Sequence, residues 1–373
     1  MNKYFYSLGL MSGTSGDGVD ASVIYSDGYE EYKVILDKYF KYDKNIYEKI
    51  HNIKSQINNP KDLDKYSDDL KEIEREITLF HSKAILEISK DLSENIDIIS
   101  FHGQTIFHDA SIKLSKQLGD GKLLSQLIKK TIIYNFREND LNHGGQGAPL
   151  TPIFHNLLAN KLKIKPATFL NLGGIANVTK INEDNSFFAS DIGPGMCLID
   201  EWIRTNSNYQ YDDGVIGKSG NINKLILEQA LDNLEQENKT KFKENLYKFK
   251  KPVSFDTKDF SVAFVRGLSL KDGAATLTEY TVKNIVSSLN FLKLQKDNIV
   301  LCGGGRKNKF LIDCLKRHNI SLKFVDEYGI DGDFIESQAF AYLGIRSYLR
   351  LPISFPKTTG VNKPCLGGDI IKN

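Results

Sequence analysis

Three times along this 373-residue chain an apolar, strand-like run ends in a loop rich in glycine. The runs at 4–10, 186–190 and 299–302 lead toward Gly13-Thr14-Ser15-Gly16-Asp17-Gly18-Val19-Asp20, Asp191-Ile192-Gly193-Pro194-Gly195 and Gly303-Gly304-Gly305. A fourth run, 168–172, leads to Gly173-Gly174. Glycine lets the backbone approach an anion closely and adopt φ > 0, so that N–H groups converge on phosphate oxygens. One such loop is weak evidence. Three at strand ends, each followed by or carrying polar side chains, point to an α/β fold that holds a nucleotide.

The first loop lies between two strands, because 19–26 also reads as a strand. It lacks Gly-Lys-Ser/Thr and does not open a helix, so it is neither a P-loop nor a dinucleotide fingerprint. A hairpin with Asp17 and Asp20 suits the phosphates of ATP and a hydrated Mg²⁺, bound by the two carboxylates through water; the structural alternative is a polar turn. In the second loop Asp191 closes a strand beside a tight glycine turn. A carboxylate of ordinary pKa, about 3.9, is ionised at neutral pH and can accept a proton from a water held close to it; the alternative is a turn cap. The third loop precedes a helical pattern from about Asn308, and a glycine turn at a helix start suits a nucleotide lying across it.

Length predicts two domains or lobes. Apolar positions Leu63, Tyr66, Leu70, Ile73, Ile77 and Phe80 step by three or four, predicting an amphipathic helix over 61–94, broken once. A strand at 96–101 delivers His102-Gly103-Gln104-Thr105 to a loop, and one at 131–136 delivers Arg137. The segment 144–152, GGQGAPLTP, reads as a loop or hinge, and 232–250 as a solvated helix. No repeat of fixed period is visible. Net charge is +2, with Lys and Arg balanced by Asp and Glu, which gives no case for a nucleic-acid partner. No apolar run approaches a membrane span, and no signal peptide is visible. The four cysteines, Cys197, Cys302, Cys314 and Cys365, form no C-x-x-C pair and read as reduced packing residues of a cytoplasmic protein. His102 and His108, six apart, make a weak metal pair. Trp202 reads as packing.

Taken together, GLMSGTSGDGVD (9–20), FHGQTIFH (101–108), GGQGAPLTP (144–152), NLGGIANVT (171–179), DIGPG (191–195), LCGGGRKN (301–308) and the helix start at Glu336 resemble the anhydro-N-acetylmuramic acid kinase family, within the sugar kinase, Hsp70 and actin superfamily. The resemblance implies a two-lobed actin-like ATPase, ribonuclease H-like, with an inter-lobe cleft. Residues 1–137 with 353–373 would form one lobe and 138–352 the other, hinged near 138–150 and 350–356. It implies an enzyme that opens the 1,6-anhydro ring of anhydro-N-acetylmuramic acid with water and phosphorylates O6 from ATP in peptidoglycan recycling. The family pattern implies a homodimer. Asp191 matches the catalytic base. Gly13 to Asp20, Gly173, Gly174, Gly193, Gly195, Gly303, Gly304, Gly305 and Asn308 match nucleotide-binding positions. His102, Gln104, Thr105, Asp120 and Glu336 match sugar-site positions, with Asp120 equally readable as a cap. Arg137 matches an arginine suited to the lactyl carboxylate.

The sequence departs from the family where DTGPGN reads DIGPGM, so Ile192 and Met196 replace polar residues. Another departure is KPVSFDT at 251–257, and a third is the drift around Arg137-Glu-Asn-Asp140. The first is expected to remove hydrogen-bonding side chains near the reacting phosphate and alter rate or preference. A kinase for another anhydro sugar, such as levoglucosan, would leave Arg137 without a role. A non-catalytic actin- or Hsp70-like switch would not need Asp191.

Overall fold

The computed structural model describes residues 3–238 and 252–372. Of the polar stretch 232–250, the portion 239–250 lies outside the described residues. Among these residues the strands, in chain order, are β1 (Phe5–Ser12), β2 (Gly18–Ser26), β3 (Tyr32–Lys41), β4 (Ile98–Asp109), β5 (Leu114–Leu118), β6 (Thr131–Tyr134), β7 (Ala167–Leu172), β8 (Ile175–Ile181), β9 (Phe187–Pro194), β10 (Ile299–Cys302), β11 (Leu322–Phe324) and β12 (Asp369–Ile371). The chain forms two compact units, 1–157 with 334–373, and 158–333. It therefore crosses between them at 157/158 and 333/334.

In unit 1, β1, β2 and β3 form an antiparallel meander, and β4 and then β6 add in parallel on the other side of β1. The spatial order is β3-β2-β1-β4-β6, with β12 on the β6 edge and β5 folded back on β4. Unit 2 repeats this order. Its β7, β8 and β9 are an antiparallel meander, β10 and β11 add in parallel beyond β7, and the sheet reads β9-β8-β7-β10-β11. Each unit thus carries the mixed five-strand order of the ribonuclease H-like fold, and the chain is α/β as expected.

Strand period and helix stripe explain the packing of unit 1. Leu8 and Leu10 join a core with Ile73, Ile77, Ile85 and Ile88 of the helix Ser67–Lys90. The expected long helix does break, at Tyr66, after a short helix Pro60–Lys65 started by an Asn59 capping box with Pro at its first turn. Gly9 faces the other way. A Cβ there would lie 2.0 Å from the Ser337 carbonyl oxygen and 2.5 Å from the Ala341 nitrogen. Only glycine lets the helix Ile335–Tyr348 lie so close to β1. That helix, placed by sequence in the lobe 138–352, consequently belongs to unit 1.

Unit 2 is filled by Leu170, Leu172, Val178, Leu301 and the helix Leu270–Phe291, together with Trp202. Among the described residues no helix is long and apolar enough to cross a membrane. The cysteines are free thiols, three of them buried, and burial raises Cys197 to about 12 and Cys314 to about 11.

One expectation fails in β4. The strand does not end at Phe101 but continues to Asp109, because residues 104–109 pair with β5. His102, Gln104, Thr105 and His108 therefore stand on a strand rather than a loop.

Candidate active site

The candidate residues fall into two groups, one in each unit, and in both units glycine loops follow central strands, where open α/β sheets bind ligands.

In unit 1 the β1–β2 hairpin has its carbonyls held from behind. Gly13 O accepts from Gln104 Nε2 at 3.0 Å and from the Gly16 amide at 3.1 Å. Thr14 O accepts from Lys54 Nζ at 3.1 Å, and Ser15 O lies 2.9 Å from His51 Nε2. In a planar trans peptide the next N–H points opposite each carbonyl. The Thr14 and Ser15 amides are thereby turned away from these side chains, as an anion nest requires. His51 and Lys54, on the helix Lys44–Gln56, carry no sequence motif; only the tertiary contact reveals them. Gly16 has φ +62°, and Gly18 has backbone and Tyr39 within 2.6 Å of where a Cβ would stand. Val19 is buried in the core, so only its backbone is available to a ligand.

Ser15 Oγ donates to Asp17 at 2.5 Å. Burial pushes the Tyr39 hydroxyl pKa up, and the charges of Asp17 and Asp20 push it further. Both carboxylates thus lie close enough to the Tyr39 hydroxyl for their charges to act on it. No group of three or more potential metal ligands occurs among the described residues; Asp17 and Asp20 are the carboxylates the hairpin could offer a hydrated cation.

His102 is buried, and burial first and the Arg137 charge second hold its pKa well below the usual range. Its neutral ring lies with Nδ1 2.8 Å from Gly103 O, so Nδ1 carries the proton and Nε2 accepts. Arg137 donates to that Nε2 from Nε at 3.2 Å and from Nη2 at 2.9 Å, and from Nη1 to Gly147 O at 2.7 Å. Both ring nitrogens of His102 are thus engaged, Nδ1 with Gly103 O and Nε2 with Arg137. Gln104 is likewise fully buried, with Oε1 lacking a partner and Nε2 on the hairpin. Thr105 Oγ1 accepts from Gln117 at 3.3 Å. Asp120 caps the helix Gly121–Ile128 by accepting from the Lys122 and Leu123 amides, both at 2.9 Å. Glu336 is partly exposed in the first turn of the helix Ile335–Tyr348.

In unit 2 Asp191 stands near the end of β9, 6% exposed. Its Oδ2 accepts from the Phe255 amide at 2.8 Å, and its own amide donates to Val253 O at 3.0 Å. Val253 and Phe255 of the divergent stretch therefore hold Asp191 through backbone groups, contacts that do not depend on which side chains these positions carry. Three glycine loops meet here. The Gly195 and Cys197 amides donate to Gly174 O at 3.0 and 3.1 Å, and Met196 N donates to Gly173 O at 2.8 Å. A Cβ on Gly195 would lie 2.3 Å from Gly173 O. Gly193 has φ +139°. Gly303, with φ +83°, and Gly305 close on Leu172, while Gly304 has nothing within 4 Å of a Cβ position. Asn308 is buried as the cap of the helix Lys309–Lys316, accepting from Leu311 N and donating to Asp212 O, both at 2.9 Å. The amides of Gly195 and Met196 and the side chain of Asn308 thus shape the loops, and Gly304 is the open position.

Ile192 and Met196 both pack in the core of unit 2. Sequence reading also missed Arg306, buried beside the third loop and bonded to Asp326 and Asp333 at 2.8 and 2.5 Å, with Asp331 at 3.3 Å. These acids are scattered over 326–333, with no spacing that marks them.

A family model described as anhydro-N-acetylmuramic acid kinase matches residues 5–373. A protein of that name from Pelagibacter ubique is 52% identical, over 100% of both chains. Another from Zymomonas mobilis is 36% identical over 98% of this chain and 99% of its own, and one from Brucella canis is 34% identical over 97% of each. Among solved structures, an activator of 2-hydroxyisocaproyl-CoA dehydratase from Clostridium difficile with bound ADPNP has TM-score 0.42 and 12% identity, covering 92% of this chain and 96% of that one.

Proposed function

The chain belongs to the anhydro-N-acetylmuramic acid kinase family, and from that premise we propose how its residues carry the reaction. The enzyme phosphorylates anhydro-N-acetylmuramic acid and so serves peptidoglycan recycling. In the proposed reaction water adds to the anomeric carbon, the bond from that carbon to O6 breaks, and O6 takes the γ-phosphoryl group of ATP as ADP leaves. Asp191 takes the proton from the water. The observation that carries this role is the Asp191 carboxylate, fixed by the Phe255 amide at 2.8 Å beside three converging glycine loops. A base held by backbone needs no reorganisation as the proton moves.

The hairpin amides of Thr14 and Ser15 would receive phosphate oxygens, and Gly304 would let the nucleotide lie across the third loop. Asp17 and Asp20 would hold Mg²⁺ through water. That ion, when bound, neutralises charge on the transferring phosphoryl group. Arg137 would bind the lactyl carboxylate, oriented by neutral His102. Gln104, Thr105, Asp120 and Glu336 are the remaining polar groups assigned to the sugar. A cytoplasmic location and a homodimer complete the reading.

The test is ADP release coupled to an indicator enzyme, with anhydro-N-acetylmuramic acid and levoglucosan compared. The muramic substrate should be strongly preferred. Asp191→Asn should lower turnover by about 10²–10⁴-fold, the usual contribution of a general base. Turnover that survives this substitution eliminates Asp191 as the base, and preference for levoglucosan would remove the assigned role of Arg137.

A further inference from the structure

We propose that Asp140 is the positioning residue that sets Arg137 for recognition of a substrate carboxylate, acting through Gly147 with Thr359 as its support. The inference rests on the reading of Arg137 above.

Asp140 is 1% exposed. Its Oδ1 accepts from the Gly147 amide at 2.7 Å and its Oδ2 from the Thr359 hydroxyl at 2.5 Å. Its backbone carbonyl accepts from the Gly145 amide at 2.9 Å, and Thr359 O accepts from the Gln146 amide at 2.7 Å. Three consecutive amides of the glycine loop are therefore held by Asp140 and Thr359. The carbonyl of the same Gly147 is what receives Arg137 Nη1. With His102 on its other side, the guanidinium is fixed at Nε, Nη1 and Nη2. Gly147 has φ +71°, and a Cβ on Gly145 would lie 2.1 Å from Asp140 Oδ1. The loop is thus built to fit this carboxylate.

A carboxylate is used where the loop presents an N–H and Thr359 an O–H, because both are donors and the ionised group only accepts. Removing it leaves the Gly147 amide buried without its acceptor, and the loop must shift to recover one. Gly147 O then leaves the guanidinium, and bidentate recognition of a planar anion loses its preset geometry.

The experiment compares anhydro-N-acetylmuramic acid with its lactyl carboxamide in the full-length enzyme. The wild type should prefer the acid in kcat/KM by about 10–100-fold, the range of a charge-assisted hydrogen bond. Asp140→Ala should bring the two within about threefold, the loss appearing in KM for the acid while KM for ATP stays unchanged. Asp140→Asn should retain the preference, since its oxygen can accept from Gly147 and its amide can donate to Thr359. If Asp140→Ala does not fold, Thr359→Val decides, with a smaller loss of preference expected and Thr359→Ser retaining it. An acid preference unchanged in Asp140→Ala, or in Thr359→Val when only that variant folds, overturns the inference. A wild type that does not distinguish acid from amide overturns the reading of Arg137 itself.

Discussion

Lowering the pH from 7 to 5 should destabilise unit 1 selectively. His81, His102 and His155 are buried there, whereas the histidine of unit 2, His318, is exposed. Burial lowers His81 from its ordinary 6.5 to about 4 and His155 to about 3. Between those values and 6.5 the unfolded chain binds protons that the folded one refuses. Stability is therefore complete above pH 6.5 and is lost as the pH falls through this window. At pH 5 each of these two rings costs the folded state ~2 kcal/mol, together ~4 kcal/mol, a large part of the roughly 5–15 kcal/mol that stabilises a domain. His102, shifted in the same direction, adds to the loss.

The chain has a single tryptophan, Trp202. It is buried in unit 2 with its N–H 2.9 Å from Leu270 O, so its fluorescence follows that unit alone, while far-ultraviolet circular dichroism follows both. Urea titrations at pH 7 and pH 5 should show the dichroism midpoint falling at pH 5 and the fluorescence midpoint nearly unmoved. His81→Gln should remove ~2 kcal/mol of the pH dependence. A dichroism midpoint that is the same at both pH values, or a pH dependence untouched in His81→Gln, would refute the argument.

Two further substitutions test the packing. Gly9→Ala forces a Cβ to within 2.0 Å of Ser337 O. Since both neighbours are backbone, the cost should reach ~3 kcal/mol, the upper end of the usual range for overpacking, seen as loss of soluble protein or a lower dichroism midpoint. Arg306→Ala leaves Asp326, Asp331 and Asp333 facing one another. Because these side chains are 44%, 50% and 29% exposed, the cost should be ~2 kcal/mol rather than that of a buried pair. The unfolding free energy followed by Trp202 fluorescence should fall by that amount and partly recover in high salt as repulsion is screened.

What the sequence determined by itself is local. Gly13 to Asp20, Asp191 to Gly195 and Gly303 to Gly305 specify their loops through backbone freedom, which is written in the residue type, and the stripe from Leu63 to Phe80 specifies a helix through its period. What only the tertiary structure decided is which groups support those loops. Asp191 is held by an amide 64 residues away and Asp140 by a hydroxyl 219 residues away. His51 and Lys54 reach the hairpin from a helix with no motif, and Gly9 meets a helix more than three hundred positions on. The sheet order repeats in both units although no sequence period does. A strand needs only an apolar pattern that many sequences satisfy, whereas a hydrogen bond between distant residues depends on how those strands are brought together.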